Sequence, residues 1–300
     1  MSTKTTSKYN NVSMFPAELV TEMFNAVQGH STLAKLSGAK AIPFAGETIF
    51  TFSMDGEVSI VGEGANKPAG DASFVPKTIT PIKMVYQHRL TNEFVYLSEE
   101  AQLPYLAAFA DGFAKKMARG LDIAAMHGLN PADLTDASFK STNSFDGVVS
   151  NTVTYAAATV DQNIDAAVQA VIAGERVVNG IALSPAAGSA LAAIKVNGVV
   201  QYPEYRFGQN PGSFYGMGSD VNNTVSKIAT GGNADHVLVG DFQNAFRWGY
   251  AKNIPLEVIE YGDPDGQGDL KRTNEVVLRA EAFIGWGILD ADSFAIVREA

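Results

Sequence analysis

The segment from Ser98 to Asn130 constrains the fold more than any other part of the chain, because its apolar residues follow the period of one long α-helix. Residues at steps of three and four line up on one face, which other parts of the protein must cover. These residues are Leu106, Ala110, Phe113, Met117, Leu121, Ala124 and Gly128. Asp111 and Lys115 fall on another side, one turn apart, where they can pair weakly. The predicted helix is about 45 Å long, which exceeds the usual helix of a globular domain.

Both ends of this predicted helix carry residues that favour helix termini. Ser98 can cap the first free backbone amides, and the two glutamates after it suit the positive end of the helix dipole. Gly128, shortly before an Asn-Pro pair, predicts the end of the helix. Pro104 either kinks the helix or begins its regular part, because the proline ring removes a backbone donor.

Composition excludes several functional classes. The chain has 300 residues, which favours one large or two interleaved domains. Because it contains no cysteine, disulfides, thiol nucleophiles and cysteine zinc sites are excluded. A net charge of −10 repels a phosphate backbone, so we expect no sequence-specific nucleic-acid binding. No signal-peptide pattern and no apolar run near the roughly 18 residues that span a bilayer occur, so we expect a soluble protein made in the cytoplasm, without a membrane partner.

The segments before and after this helix predict an arm and a hairpin. Residues Met1–Ser13 are polar and form a mobile arm in this interpretation, and Pro16–Ala34 has the spacing of a short amphipathic helix that packs on this chain or on another copy. Apolar and polar residues alternate in Phe50–Ile60 and again in Ile82–Leu90, with turn-forming residues Gly62–Asp71 between them. The pattern predicts a long hairpin of these two strands.

A lone two-stranded ribbon is marginally stable in water, so something outside the hairpin must support it. Either the hairpin lies on the body of its own chain, or it reaches onto a neighbouring subunit. Periodicity alone does not decide between these alternatives.

The remainder of the chain predicts further helices and strands. A helix begins near Asp161, and the glycine-rich loop Gly208–Gly218 favours a binding or interfacial use. The other predicted elements are a buried strand at Ile181–Leu183, a helix from Ser184-Pro185 through Ile194, strands at His236–Val239, Ala245–Trp248 and Leu256–Ile259, a long closing strand at Val276–Ile288 and a last strand at Phe294–Val297.

The sequence offers little support for chemistry. The four histidines are His30, His88, His127 and His236, and they lack the spacing of metal ligands. The glycine pairs at 62/64 and 216/218 lack the remainder of a dinucleotide or phosphate loop, and no serine stands in a G-x-S-x-G elbow. The loop Asp263–Asp269 has only part of a calcium-loop pattern, so a solvated turn is the preferred interpretation. We therefore predict no catalytic residue, no cofactor, no metal ligand and no enzyme activity.

The order of these parts resembles the major capsid proteins of tailed bacteriophages, which have the Hong Kong 97-type fold. The resemblance is carried by FTFSMDGEVSIVGEGANKP in the hairpin, SEEAQLPYLAAFADGFAKKMARGLDIAAMHG in the long helix, LVGDFQNAFRWGYAKNIPLEV before the last loop, and LRAEAFIGWGILDADSFAIV at the end. It implies an α+β fold with an N-terminal arm, an extended-loop hairpin, a spine helix in a peripheral domain and an inserted axial domain. The implied boundaries are 1–46 for the arm, 47–92 for the hairpin, 93–150 and 251–300 for the peripheral domain, and 151–250 for the axial domain.

The resemblance also implies a function and partners. Copies of such proteins form hexamers and pentamers that close an icosahedral phage head around double-stranded DNA. The implied location is the capsid of the virion, which is assembled in the cytoplasm of the bacterial host. The adjoining subunit would then support the hairpin, and Glu63, Asn66 and Lys67 at its tip are the candidate intersubunit contacts. We expect only weak contact with packaged DNA, because the acidic balance disfavours a grip on phosphate.

Two departures from some relatives shape the remaining expectations. Only a few dozen residues precede the hairpin, so we expect a separate scaffolding protein or none, together with a portal. Some relatives crosslink a hairpin lysine to an asparagine of the next subunit, and Lys67 or Lys77 could serve in that way, but most relatives form no such bond and we expect no crosslink here. The alternative functions are an encapsulin-type cargo shell of the same fold and a soluble oligomeric enzyme whose glycine-rich loops form a substrate site.

Overall fold

The computed structural model describes residues 30–55, 57–96, 99–227, 232–252 and 256–300, and these residues form an α+β fold. The helices are α1 Thr32–Leu36, α2 Glu93–Tyr96, α3 Glu99–His127, α4 Lys140–Asn143, α5 Phe145–Val148, α6 Val160–Ile172, α7 Pro185–Ala193 and α8 Leu270–Thr273. The strands are β1 Glu47–Asp55, β2 Asp71–Ile79, β3 Ile82–Thr91, β4 Thr152–Thr154, β5 Gly180–Leu183, β6 Lys195–Val196, β7 Val199–Val200, β8 Ser213–Phe214, β9 Met217–Val221, β10 Asp235–Gly240, β11 Phe246–Lys252, β12 Leu256–Ile259, β13 Glu275–Ile288 and β14 Phe294–Arg298. The predicted arm Met1–Ser13 and most of the predicted helix Pro16–Ala34 lie outside the described residues.

The long helix α3 confirms the prediction made from the apolar period. It contains Pro104 within its length and ends at His127, where Gly128 adopts a φ of +63° that favours glycine. A Cβ at Gly128 would lie 2.6 Å from Lys140 Cα, so glycine also permits the close return of the chain. Asp111 and Lys115 form an exposed ion pair of 2.7 Å one turn apart on this helix. None of the helices in the described part of the chain is long and apolar enough to cross a membrane.

A four-stranded sheet packs against α3 and is organised around β13, the predicted closing strand. β13 pairs antiparallel with β11 and β12 along one edge and with β3 along the other. Its side chains Leu278, Ala280, Ala282 and Ile284 are buried in the same core cluster as the apolar face of α3. The alternation in β13 therefore places one face against the helix, as period-two patterning requires.

The predicted partner of the first hairpin strand is wrong. Ile82–Leu90 does not pair with Phe50–Ile60, because β3 pairs with β13 along Ile82–Thr91. β1 instead pairs with β2, at residues that the sequence analysis left without a strand. Pro76 lies in β2 and cannot donate to a ladder, but an edge strand tolerates such a residue because its outer side faces solvent. The second strand of the ribbon is therefore β2, which is closer to β1 in sequence than the predicted partner Ile82–Leu90, and the ribbon is shorter than predicted.

A six-stranded sheet forms the second layer, in the order β4-β14-β10-β5-β9-β8. Alternate residues of β5, β10 and β14 pack against α6 and α7 on one face, and the remaining residues join the α3 core on the other face. Because both faces are covered, these strands read as continuous apolar runs rather than alternating ones. The last strand β14, from the segment expected in the peripheral domain, pairs in this sheet. β11 spans the boundary expected between residues 250 and 251, and it pairs in the four-stranded sheet.

A buried carboxylate ties the start of the described chain to the middle of α3. Asp122 is fully buried and accepts hydrogen bonds from Ser31 Oγ at 2.5 Å, the Thr32 amide at 2.9 Å, the Leu33 amide at 3.2 Å and Thr224 Oγ1 at 2.9 Å. Burial raises the pKa of Asp122 to about 6, against the lowering effect of these donors. The carboxylate thus acts as an acceptor at the N-terminus of α1 and fixes that helix on α3.

We predict that Asp122→Ala lowers the free energy of unfolding by about 3 kcal/mol or more, because several buried donors then lose their acceptor. Urea denaturation at neutral pH measures the change. Asp111→Ala on the same helix is the matched control, and it should cost about 0.5 kcal/mol or less because its ion pair is exposed. Equal losses in the two variants would contradict this assignment.

Candidate functional site

The hairpin of β1 and β2 forms a two-stranded sheet of its own. Its register places Phe52 opposite Phe74, with ring centroids 4.8 Å apart, and Phe50 opposite Pro76. Since side chains alternate between faces, these four residues and Met54 lie on one face of the ribbon. The sequence alternation that predicted a strand therefore produces a continuous apolar face.

This apolar face is open to solvent in the single subunit. The exposed fractions are 64% for Phe50, 53% for Phe52, 73% for Met54 and 68% for Phe74. A contiguous exposed apolar patch of this kind marks an interaction site, and a two-stranded ribbon needs further packing to be stable. The sequence left two supports for the hairpin, the body of its own chain and a neighbouring subunit. In the described part of the chain, the body of the same subunit leaves this apolar face uncovered.

The root of the hairpin is anchored firmly where β2 meets the four-stranded sheet. Ile79 is fully buried, and a Cβ at Gly287 would lie 2.7 Å from its Cγ1. Glu47 at the start of β1 forms an ion pair of 3.0 Å with Arg247. The glycine in β13 is therefore needed to seat Ile79, and the ribbon projects from a fixed base.

The predicted contact residues lie together in the tip that joins β1 to β2. Glu63, Asn66 and Lys67 are all exposed, and the Ala65 amide donates to the Gly62 carbonyl at 3.1 Å to form a turn. The structure thus brings the three candidates into one small loop. Their contact with another subunit stays a prediction.

The glycine-rich loop predicted for binding or interfacial use contains the short hairpin of β8 and β9. Its turn is Tyr215-Gly216, with φ of +48° and +88°, and Tyr215 is 81% exposed. A non-glycine residue in this conformation is uncommon, and the equivalent turn between β6 and β7 uses Asn197-Gly198 instead. Phe207, before this hairpin, is 90% exposed at a φ of +59°. The use of these aromatic side chains stays a prediction.

Three residues with metal-ligating side chains meet at the C-terminal end of α3, although they share no sequence motif. His127 Nδ1 lies 2.9 Å from Asp146 Oδ2 and 3.7 Å from Asp235 Oδ2, and His127 Nε2 lies 2.9 Å from the Thr224 carbonyl oxygen. Their ligand atoms all lie within 4.8 Å of one another. Arg298 donates to both carboxylates at 2.8 Å. The geometry could hold a cation, but the arginine already supplies positive charge to these acids.

The electrostatics of this cluster indicate that it retains a proton. Burial alone would lower the pKa of His127, but its hydrogen bond to Asp146 raises it above the ordinary value. Burial and the neighbouring Asp146 raise the pKa of Asp235 to about 8, and Arg298 opposes that rise. The pKa of Asp146 is lowered, because the histidine and Arg298 outweigh its burial. The cluster ties together α3, α5, β10 and β14 rather than presenting free ligands.

A serine, a histidine and a glutamate also come together without any sequence signal. Ser184 Oγ lies 2.9 Å from His236 Nδ1, and His236 Nε2 lies 3.2 Å from Glu299 Oε1. Such an order of groups occurs in nucleophilic catalysis. Ser184, however, is fully buried, and its oxygen accepts the Ala187 amide at 3.1 Å as the N-cap of α7. In this conformation the hydroxyl is committed to the helix and is not accessible to a substrate.

The loop with partial likeness to a calcium site is held by an arginine. Arg89 donates to Asp265 from two nitrogens, at 2.7 and 2.5 Å, and to Glu275 at 2.8 Å and the Gly268 carbonyl at 2.8 Å. The hydrogen bonds from Arg89 lower the pKa of Asp265 to about 2. The loop is therefore built around a guanidinium group, and most of its residues are exposed to solvent.

Comparison with known proteins identifies the relatives of this chain. The family described as the Phage capsid family matches residues 13–298. A solved chain from Mycobacterium phage Ogopogo is 35% identical, with a TM-score of 0.78, covering 90% of this chain and 92% of that chain. A chain from Gordonia phage Cozz is 26% identical, with a TM-score of 0.73, covering 90% of this chain and 87% of that chain.

A more distant likeness shows the fold alone. A chain titled as the capsid of the native GTA particle is 12% identical, with a TM-score of 0.62, covering 100% of this chain and 95% of that chain. None of the curated proteins compared with this chain matches it. The predicted Hong Kong 97-type fold is confirmed by these structural matches.

We predict that the buried cluster makes stability fall as pH rises. The folded-state pKa of Asp235, about 8, exceeds its ordinary 3.8, so the folded protein keeps a proton that the unfolded chain releases within this window. Asp235→Asn stays neutral, so its free energy of unfolding should fall less than that of the wild type between pH 5 and pH 8. Urea denaturation of both proteins at the two pH values measures the difference. A steeper fall in the variant would contradict the raised pKa.

Proposed function

Because the chain belongs to the phage capsid family, we propose that it is the major capsid protein of a tailed phage and that its copies form the hexamers and pentamers of an icosahedral head around double-stranded DNA. The observation that carries this proposal is the apolar face of the hairpin, with Phe52 53% and Phe74 68% exposed. A subunit that presents such a face gains stability when another copy covers it.

The position of the hairpin favours rings over isolated dimers. The ribbon projects from its root, and the surface that receives it must lie elsewhere on the next subunit. Such a contact joins two different patches and is heterologous, and heterologous contacts close into rings when the rotation permits. Hexamers and pentamers of one chain follow if the same contact accepts two slightly different rotations. In this proposal Glu63, Asn66 and Lys67 contact the neighbouring copy.

The two larger sheets support a division of the subunit into two domains. We assign α3 and the four-stranded sheet to the peripheral domain, and the six-stranded sheet with α6 and α7 to the inserted axial domain. In this proposal the domain boundaries stay at residues 93, 151 and 251. Two strands are exceptions: β11 pairs in the four-stranded sheet, and β14 pairs in the six-stranded sheet. The hairpin occupies the part of 47–92 that precedes β3.

The net charge and the relatives bear on the contents of the shell. At −10 the chain disfavours a strong grip on DNA, so packaged DNA makes weak contact in this proposal, and a portal and any scaffolding protein are separate chains. The two solved chains of 35% and 26% identity come from phages, which favours a phage head over a cargo shell. Nuclease-protected DNA in particles from infected cells would support the head, whereas an enclosed enzyme would support the cargo shell.

We predict that Phe52→Ser with Phe74→Ser prevents assembly while the subunit still folds, because both side chains are largely exposed before assembly. Analytical ultracentrifugation and electron microscopy of the purified protein measure the particles, and circular dichroism reports the fold. Val75→Ser on the opposite face of β2 is the matched control and should assemble. A wild-type protein that remains a compact monomer at high concentration would overturn the proposed function.

A further inference from the structure

The chain contains two Asn-Gly pairs, Asn179-Gly180 and Asn197-Gly198, in nearly identical local sequences. Both follow a valine, and they are followed by Ile181 and Val199, respectively. An Asn-Gly pair is chemically reactive, because glycine has no side chain to shield its backbone nitrogen from the amide group of the asparagine. Reaction requires that this nitrogen reach the side-chain carbonyl carbon, Cγ. The fold therefore decides which of the two pairs reacts.

The pair Asn197-Gly198 forms the turn of the hairpin of β6 and β7. Its residues have φ of +50° and +81°, as a two-residue hairpin turn favours, and both are exposed. The Asn197 side chain makes no hydrogen bond to another residue of the described chain, and a Cβ built on Gly198 would meet nothing within 4 Å. In this part of the structure, no neighbouring group therefore holds the amide carbon away from the glycine nitrogen.

The hairpin that carries this turn is weakly held closed. In the described chain, β6 and β7 pair only with each other, through Lys195 with Val200 and Val196 with Val199. Val196 is 54% exposed and Val199 65%, so the hairpin does not rest on a core. A two-stranded hairpin of this length is marginal in water, and exposed elements of this kind open at a low free-energy cost. Opening frees Asn197 from its left-handed conformation and lets its side chain approach the glycine nitrogen.

The pair Asn179-Gly180 is held rigidly at the start of β5. The Asn179 side chain donates from Nδ2 to Asp241 and accepts through Oδ1 from the Phe242 amide at 3.0 Å. Gly180 is buried, and a Cβ there would lie 2.7 Å from the ring of Phe242. β5 itself lies between β10 and β9 in the six-stranded sheet. Reaction at this pair would require the loss of both side-chain hydrogen bonds and the separation of β5 from its neighbours.

We propose that Asn197 is a site of spontaneous modification, at which the folded protein converts its own side-chain amide to a carboxylate. The backbone nitrogen of Gly198 forms a bond to Cγ of Asn197. The proton of that nitrogen passes through solvent to the side-chain nitrogen, which leaves as ammonia, and a five-membered cyclic imide remains. Water then adds to either carbonyl of the imide and opens the ring, which yields aspartate or isoaspartate. The only co-reactant is water.

The modification changes the exposed end of this hairpin in two ways. Either product carries a negative charge at neutral pH, because the ordinary pKa of such a carboxyl group is about 4. Isoaspartate also lengthens the backbone within the turn, and the turn sets the pairing of β6 with β7. All of this chemistry lies within one chain. The inference therefore goes beyond the proposed function and does not depend on it.

Peptide mapping by mass spectrometry compares the two pairs within one protein. The folded wild-type chain is incubated in mildly alkaline buffer, and conversion of Asn197 and of Asn179 is measured over time. Asn197 should convert at least about a hundredfold faster, because opening free energies range from near zero at exposed elements to the global value in core strands. In guanidinium chloride the two pairs should convert at similar rates, since their local sequences nearly match.

Two variants tie the gain of charge to this residue. Asn197→Asp provides the charge standard, and aged wild-type protein should give an acidic species that elutes with it on ion exchange. Asn197→Gln keeps an amide but would have to close a larger ring, so it should form far less of this species. Three results would each overturn the inference: no conversion of Asn197 in the folded protein, equal rates at the two pairs in the folded protein, or as much acidic species from Asn197→Gln as from the wild type. A failure of the wild type to assemble would refute the proposed function and leave this inference unaffected.

Discussion

The constraint on which the rest of the structure depends is the exposure of apolar side chains to water on one face of the two-stranded ribbon β1-β2. The hydrophobic effect favours covering Phe50, Phe52, Met54 and Phe74, and the described body of the same subunit leaves them open. A backbone ladder with one partner and no core beneath it adds little stability by itself. The subunit is therefore incomplete alone, and association with other copies supplies the missing packing.

The remainder of the subunit provides a stiff base for this ribbon. The core around α3 continues from β13 and β11 into one face of the six-stranded sheet, so the two layers share buried side chains. Asp122 fixes α1 on the spine, and Asp220 accepts from Thr32 Oγ1 at 2.7 Å and Lys35 Nζ at 2.6 Å, which ties the same helix to β9. A projecting element transmits a defined angle to its neighbour only when its root is fixed, and Ile79 beneath Gly287 provides that root.

Elements that carry their own local pattern could be predicted from the sequence, whereas the pairing of two distant strands could not. The period of α3, the alternation of β13 and the cap of α7 at Ser184 are local, and each appears in the structure within a few residues of its predicted position. The pairing of the hairpin was not local. β3 alternates as a ribbon strand would, yet it pairs with β13, which follows it by almost two hundred positions in the chain. β2 was not predicted because it contains Pro76, and proline disfavours a strand except at the edge of a sheet.

The sequence by itself determined the long helix, the long closing strand, the absence of thiol chemistry, the acidic balance and an order of parts that identifies the family. The tertiary structure alone decided which strand completes the ribbon, and it alone joined His127 to Asp146, Asp235 and Arg298. It also formed a groove between β3 and α3, to which Met84 and Met117 contribute. The reason is physical: helix period and strand alternation are properties of neighbouring residues, whereas pairing, buried ion clusters and grooves depend on which apolar faces meet when the whole chain excludes water.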